Sequence, residues 1–276
     1  MSTLRELDRV EDRIRQHRQV EKRPVLLVEG PDDVLVMRPH IAPEIVFAAG
    51  TRSNVIRAVS ALQEWGMPGV RAIIDADYDP RPANEAIFSY DARDLEGMLV
   101  RMGVLDLIID HLGSAEKIKK LNGASTLVAK LIQLGEEVGA LRASNRENGW
   151  GLPFRNVDPA SKTDIRTLVF DRDRYIRALI QASETEVTFG EINDALSTLA
   201  KDELGPNGKD VLSFAAVALR NAAGTLHKEA CSSAVLGAQL RSSCALELER
   251  SEWMTMIRTA VDEASNEITH PRSMAE

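Results

Sequence analysis

Over the first hundred residues, short unbroken apolar runs alternate with stretches whose apolar positions recur every three or four residues. Leu4, Leu7, Val10 and Ile14 share one face of a helix predicted over residues 3–20, with charged residues between them. Pro24 then introduces Val25 to Val28, an apolar run suited to a strand buried on both faces of a parallel sheet. Gly30-Pro31 turns the chain, and Pro31 fits the first turn of a helix reaching about Arg38. Ile45 to Ala49 predicts a second strand closed by Gly50, and Ser53 is placed to cap a helix through Trp65. Val70 to Ile74 predicts a third strand. Asp77 to Asn84, with Pro80 and Pro82, predicts a loop, and Ile87 to Tyr90 a short fourth strand. Asp91 or Asp94 caps a further helix through about Val100.

This order predicts a doubly wound α/β domain with a mainly parallel sheet. Ligands in such sheets bind outside the carboxyl ends of the strands. From about residue 104 the pattern turns helical, with helices predicted over Ala215 to Leu226, Val235 to Leu248 and Trp253 to Ala264. Ser144 to Asp164, with Gly149, Gly151, Pro153 and Pro159, reads as a long irregular segment, and residues 270–276 as a frayed tail. The expected division is an N-terminal helix over 1–23, the α/β domain over 24–103, and a mostly helical region over 104–276 for partner, dimer or substrate contacts.

Composition narrows the function classes. The chain has 276 residues, enough for one large domain or two ordinary ones. Its hydrophobic content of 44% supports a real core, and at 4% aromatics no platform for stacking single-stranded bases is obvious. No window reaches the ~20 apolar residues of a membrane span. The opening residues, Met-Ser-Thr-Leu-Arg-Glu-Leu, carry charge without an apolar signal-peptide core. Two cysteines, Cys231 and Cys244, do not make a disulfide framework, so a cytoplasmic protein with free thiols is expected. A net charge of −8 argues against a protein that coats DNA without specificity. The segment from Arg142 to Arg177 runs the other way, with eight Lys and Arg against five acids, a net of +3. It reads as a solvated surface, with a phosphate-contacting face as the alternative.

The candidate chemistry lies in three acidic clusters. They are Glu29 in Val-Leu-Leu-Val-Glu-Gly-Pro-Asp-Asp, Asp75 and Asp77 in Ala-Ile-Ile-Asp-Ala-Asp, and Glu96 in Asp-Leu-Glu-Gly-Met-Leu. The first two fall where a buried strand should end. Carboxylates gathered there repel one another unless a cation or proton is shared between them. A hard divalent cation such as Mg²⁺, held by one or two carboxylates and a phosphate, is the usual reason to accumulate them. Taken alone, each motif reads first as ordinary structure: Glu-Gly-Pro-Asp-Asp as a helix start, Asp75 and Asp77 as loop residues, and Asp94 and Glu96 as an N-cap and a first-turn acid. Their joint occurrence in order, each at the end of a predicted element, is what points to a metal site.

Together the clusters resemble a TOPRIM domain, in which a glutamate follows the first strand in a Glu-Gly turn and an Asp-x-Asp pair follows a later one. Here these are Glu29-Gly30 and Asp75-Ala76-Asp77. The acid four residues after the glutamate, Asp33, is similar to the overcoming-lysogenization-defect nucleases. The closer resemblance is to stand-alone TOPRIM-like proteins with a Val-Glu-Gly-x-x-Asp start, an Asp-x-Asp strand end and an Asp-Leu-Glu helix start, here Asp94-Leu95-Glu96. That group includes the nuclease effector of PARIS-type antiphage systems. The specific motifs cover roughly the first hundred residues. Leu141 to Asn145 and Asn207 to Leu212 look similar more loosely.

The resemblance implies a TOPRIM-like fold and a Mg²⁺-dependent endonuclease, with Mn²⁺ as a substitute ion, acting on RNA such as tRNA or on DNA. It implies a toxic effector restrained by a separate ABC-type ATPase and active as a homodimer. In this reading Glu29 and Asp33 hold one of two ions, and Asp75, Asp77 and Glu96 hold or position the second. Glu29 serves as ligand or general base, and Lys209 neutralises a transition-state phosphate. Asp79 is a candidate outer acceptor. Gly205-Pro206-Asn207-Gly208-Lys209 also reads as plain turn chemistry, and its glycine spacing is not that of a phosphate-binding loop, so ATP hydrolysis is not expected of this chain. The five histidines are scattered, and the serines show no nucleophile elbow. The competing reading is a non-catalytic TOPRIM-like module that binds nucleic acid or nucleotide, or only assembles with a partner. Primase or topoisomerase chemistry is disfavoured by length and by the lack of a zinc-binding segment.

Overall fold

The structure is a computed structural model that describes residues 9–199 and 204–270. Its elements, in chain order, begin with α1 (Val10–Val20), β1 (Val25–Val28), α2 (Pro31–Met37), β2 (Val46–Ala48), α3 (Arg52–Glu64), β3 (Val70–Ile74) and β4 (Ile87–Ser89). There follow α4 (Leu95–Arg101), α5 (Val104–Leu112), α6 (Ala115–Lys120), α7 (Ala124–Asn148), α8 (Arg172–Gln181), α9 (Phe189–Thr198), α10 (Gly208–Arg220), α11 (Ser233–Ser243), α12 (Ala245–Glu249) and α13 (Glu252–Thr269). The class is α/β, as the pattern predicts. Among the described residues no helix is long and apolar enough to cross a membrane.

The chain forms two compact units. One comprises residues 9–76, 80–90 and 245–270, the other 77–79 and 91–244 apart from 200–203. In the first unit the four strands make one parallel sheet in the order β2-β1-β3-β4, with Leu27 of β1 level with Phe47 of β2 and Ala72 of β3. The chain moves outward from β1 to β2 and then returns to the far side of β1 as β3. The order therefore reverses between β1 and β3, the crevice where such sheets place ligands. Val25, Leu27, Val70, Ala72, Ile74 and Ile87 form one core face with Val10 and Ile14 of α1 and Val55, Ala58, Val59 and Leu62 of α3. The alternate residues Leu26, Val28 and Ile73 are as fully buried, and α13 packs along β1 and β3. Burial on both faces explains why β1 reads as a continuous apolar run and β3 as one interrupted only by Arg71.

The second unit is helical. Its centre is α10, whose Val211, Leu212 and Phe214 to Leu219 are all buried among α4, α7 and α11. From Phe214 to Leu219 the helix is apolar all round, as a core segment should be.

Several boundaries differ from the sequence expectation. The first helix starts at Val10, while Leu4 and Leu7 lie outside the described residues. β2 is shorter than Ile45 to Ala49 because Pro43–Ile45 is a 3₁₀ turn, and β4 stops at Ser89, leaving Tyr90 beyond it. α3 is capped by Thr51, which accepts from the Asn54 amide, rather than by Ser53. α7 runs to Asn148, where Gly149 ends it in the left-handed region, so the irregular segment begins five residues later than expected. α10 spans Gly208–Arg220, not Ala215 to Leu226, because Asn207 acts as its N-cap. The stretch expected as one helix from Val235 to Leu248 is broken after Ser243 into α11 and α12.

The division at residue 103 is also displaced, since residues 91–103 join the helical unit and residues 245–270 join the sheet. The sheet unit holds α13 by close backbone approach. Gly69 has φ +71°, and a Cβ there would sit 2.6 Å from the Ala264 carbonyl oxygen and 2.7 Å from Ile268. Its amide donates to Glu267, which also pairs with Arg71 at 2.5 Å. Gly69→Ala is therefore expected to cost about 2–4 kcal/mol, from overpacking together with the left-handed backbone. Chemical unfolding monitored by circular dichroism checks this, and an unchanged midpoint would contradict the contact.

Candidate functional site

Three of the sequence-picked acids come together at the reversal between β1 and β3. Glu29 follows β1 and Asp75 follows β3, because each apolar strand ends where its neighbours in the sheet end. Glu29 Oε1 accepts the Asp75 amide at 2.8 Å. Asp33 sits in the first turn of α2, where a carboxylate is favoured by the helix dipole. Its Oδ2 accepts the Gly30 amide at 2.7 Å, and its Oδ1 accepts the Tyr90 hydroxyl.

Tyr90 carries the electrostatic signature of the group. Its phenol is held well above the usual tyrosine range, first by burial and then by Asp33, Asp75 and Glu29. The three carboxylates thus place a negative field on one buried hydroxyl, which stays a donor. Nothing in the sequence pattern singled Tyr90 out. The only available signal was a polar tip at the end of an apolar run.

The other sequence-picked residues belong to the helical unit. Asp77 has φ +45°, a left-handed conformation that Asp tolerates better than most residues. Its amide donates to the Arg93 carbonyl at 3.0 Å, and the Arg93 guanidinium donates back to the Asp77 carbonyl. The same guanidinium stacks over the Tyr78 ring at 4.3 Å. Asp79 pairs with Arg146.

Glu96 lies in α4 and is buried, with one oxygen 2.6 Å from Arg241 Nη1. Lys209 is in the first turn of α10 rather than in a loop. Lys209, Glu96 and Arg241 all line a cavity of about 500 Å³, together with Arg155, Asp158 and Asp210.

Asp94 organises this part of the helical unit. It caps α4 by accepting the Gly97 amide at 2.7 Å, and it also accepts the Gly208 amide at 2.9 Å at the start of α10. Gly208 permits this approach, because a Cβ there would lie 2.2 Å from the Gly97 nitrogen. Burial and the neighbouring Glu96 push the Asp94 carboxyl up to about 7, against the pull of both amides and of Lys209.

The basic segment is partly committed to internal contacts. Arg142 makes two 2.8 Å bonds to Asp210 and stacks on Phe154 at 4.7 Å. Arg177 lies over the Phe189 ring.

The donor set at the strand ends is all oxygen, as Mg²⁺ requires. Among the described residues no three His, Cys, Asp or Glu side chains close into a metal-binding group. Mg²⁺ rarely needs one, since it keeps several waters and takes one or two carboxylates plus substrate phosphates. Glu29, Asp33 and Asp75 could hold such an ion only with further ligands from substrate and water. No family model matches this sequence, and no curated protein matches it.

Asp94 generates a pH prediction. The folded chain favours its neutral form. Between about pH 4 and pH 7 the folded state therefore keeps a proton that the unfolded chain releases, and stability falls as pH rises through that window. Asp94→Asn keeps an oxygen acceptor and removes the charge. It is expected to flatten the fall, measured as unfolding free energy across that range. Parallel profiles for the two proteins would sink the assignment.

Proposed function

We propose that the protein is a metal-dependent endonuclease that hydrolyses phosphodiester bonds, with its reacting centre at Glu29, Asp33 and Asp75. The observation that carries this reading is the bond between the Glu29 carboxylate and the Asp75 amide, set at the sheet's reversal point with Asp33 held beside the same buried tyrosine. When bound, Mg²⁺ supplies positive charge against the attacked phosphate and makes an attacking water more acidic. Asp33 and Asp75 are the residues to hold the ion. Glu29 is the residue to share it or to take the proton of the water. The Asp75 amide holds one Glu29 oxygen at the strand end, which favours the pre-organisation such chemistry needs.

Following the resemblance in motifs, the proposed substrate is RNA, tRNA included, or DNA. The proposed setting is antiphage defence, with a separate ABC-type ATPase restraining a toxic effector that works as a homodimer. The alternative is a non-catalytic module that binds nucleic acid or assembles with a partner through the same fold.

The test compares wild type with Glu29→Ala, alone and beside a restraining ATPase, for growth arrest and for cellular RNA and DNA integrity. Purified protein is assayed with Mg²⁺ and with chelator. Cleavage is expected to require Mg²⁺ and to fall roughly 10²–10⁴-fold in the variant, the span that general-base losses cover. Intact nucleic acid under every condition, with partner and phage trigger supplied, would leave the non-catalytic module.

A further inference from the structure

The acidic group contains a neutral donor that none of its motifs includes. The Tyr90 hydroxyl donates to Asp33 Oδ1 while the Gly30 amide donates to Oδ2 at 2.7 Å, so the carboxylate is gripped from both oxygens.

The phenol is itself firmly placed. Tyr90 is 2% exposed, and its ring packs on Trp253 of α13 with centroids 5.2 Å apart. Trp253 in turn donates through Nε1 to the Ser89 carbonyl at 2.9 Å, one residue before Tyr90. A helix from the end of the chain thus braces the residue that orients Asp33. Carboxylates that ligate metals are commonly held in this way by an outer hydrogen-bond partner, which fixes their orientation and tunes their basicity.

We infer that Tyr90 is a positioning residue: its hydroxyl sets the Asp33 carboxylate in the orientation that receives a divalent cation, and α13 holds Tyr90 there through Trp253. The inference rests on the metal-site reading of Glu29, Asp33 and Asp75.

Calorimetric titration of the full chain with Mg²⁺ tests it, comparing wild type, Asp33→Asn and Tyr90→Phe, with metal-free thermal unfolding as the fold control. Phenylalanine keeps the ring on Trp253 and removes only the hydroxyl. The expected result is a Mg²⁺ Kd raised roughly 10–100-fold in Tyr90→Phe, the usual loss for an outer partner. Cleavage by that variant is expected to recover as Mg²⁺ is raised, which a purely structural defect would not do. Equal Mg²⁺ affinity in wild type and Tyr90→Phe, with Asp33→Asn impaired, overturns the positioning role and leaves the metal site standing. Absence of Mg²⁺ binding by wild type overturns both. Should Tyr90→Phe fail to fold, Trp253→Phe takes its place. It retains the hydroxyl and loosens its brace, so weakened binding supports the inference and unchanged binding overturns it.

Discussion

The Asp75 amide is the first backbone donor beyond β3, and the Glu29 carboxylate that accepts it is the first side chain beyond β1. This bond fastens the ends of the two central strands, and the rest of the acidic group follows from it. It brings one negative charge to the crevice between the strands, and Asp33 and Asp75 add more. Such a gathering is tolerable only with compensating donors or a counter-charge. The donors are visible as the Asp75 and Gly30 amides and the Tyr90 hydroxyl. Each withdraws some charge, and none carries a full positive one. A bound cation, as proposed above, would add to this compensation.

The parts of the fold legible in the sequence are those where burial alone decides. Val25 to Val28 and, apart from Arg71, Val70 to Ile74 are buried on both faces, so their apolar positions coincide with the observed strands. Glu29 and Asp75 stand out in the sequence because a charged residue at the end of such a run conflicts with its surroundings, whereas Asp33 stands out only through the motif resemblance. Tyr90 conflicts with nothing, since an aromatic at the end of a strand is ordinary. Its role depends on a partner 57 residues away. The docking of α13 on the sheet was equally hidden. An amphipathic helix declares which face it buries, not the element that covers that face. The start of α10 failed for a different reason, because Pro206-Asn207-Gly208 serves turns and helix caps alike, and only the acceptor bond of Asn207 separates the two.

Within the helical unit, three buried acids are handled in three ways. Asp210 is gripped by both arms of the Arg142 guanidinium, Glu96 is paired with Arg241, and Asp94 accepts backbone amides. Pairs of this kind add little net stability, because desolvation offsets much of the attraction. They are costly to break singly, however, so they penalise any packing that separates the partners. Arg142 joins α7 to α10, Arg241 joins α11 to α4, and Asp94 joins the starts of α4 and α10. The polar contacts therefore specify which helices meet, while the apolar faces supply the energy.

Asp94 shows how finely such a network balances. Two helix starts converge on its carboxyl, and both amides and both dipoles favour the charged form. Burial and Glu96 favour the neutral form, and the outcome lies near 7, above an ordinary carboxylate. Arg241 enters this balance indirectly. By pairing with Glu96 it offsets part of the field that Glu96 casts on Asp94. Lys209 favours the charged form of Asp94 directly. Lys209 and Arg241 both border the cavity beside the shared cap.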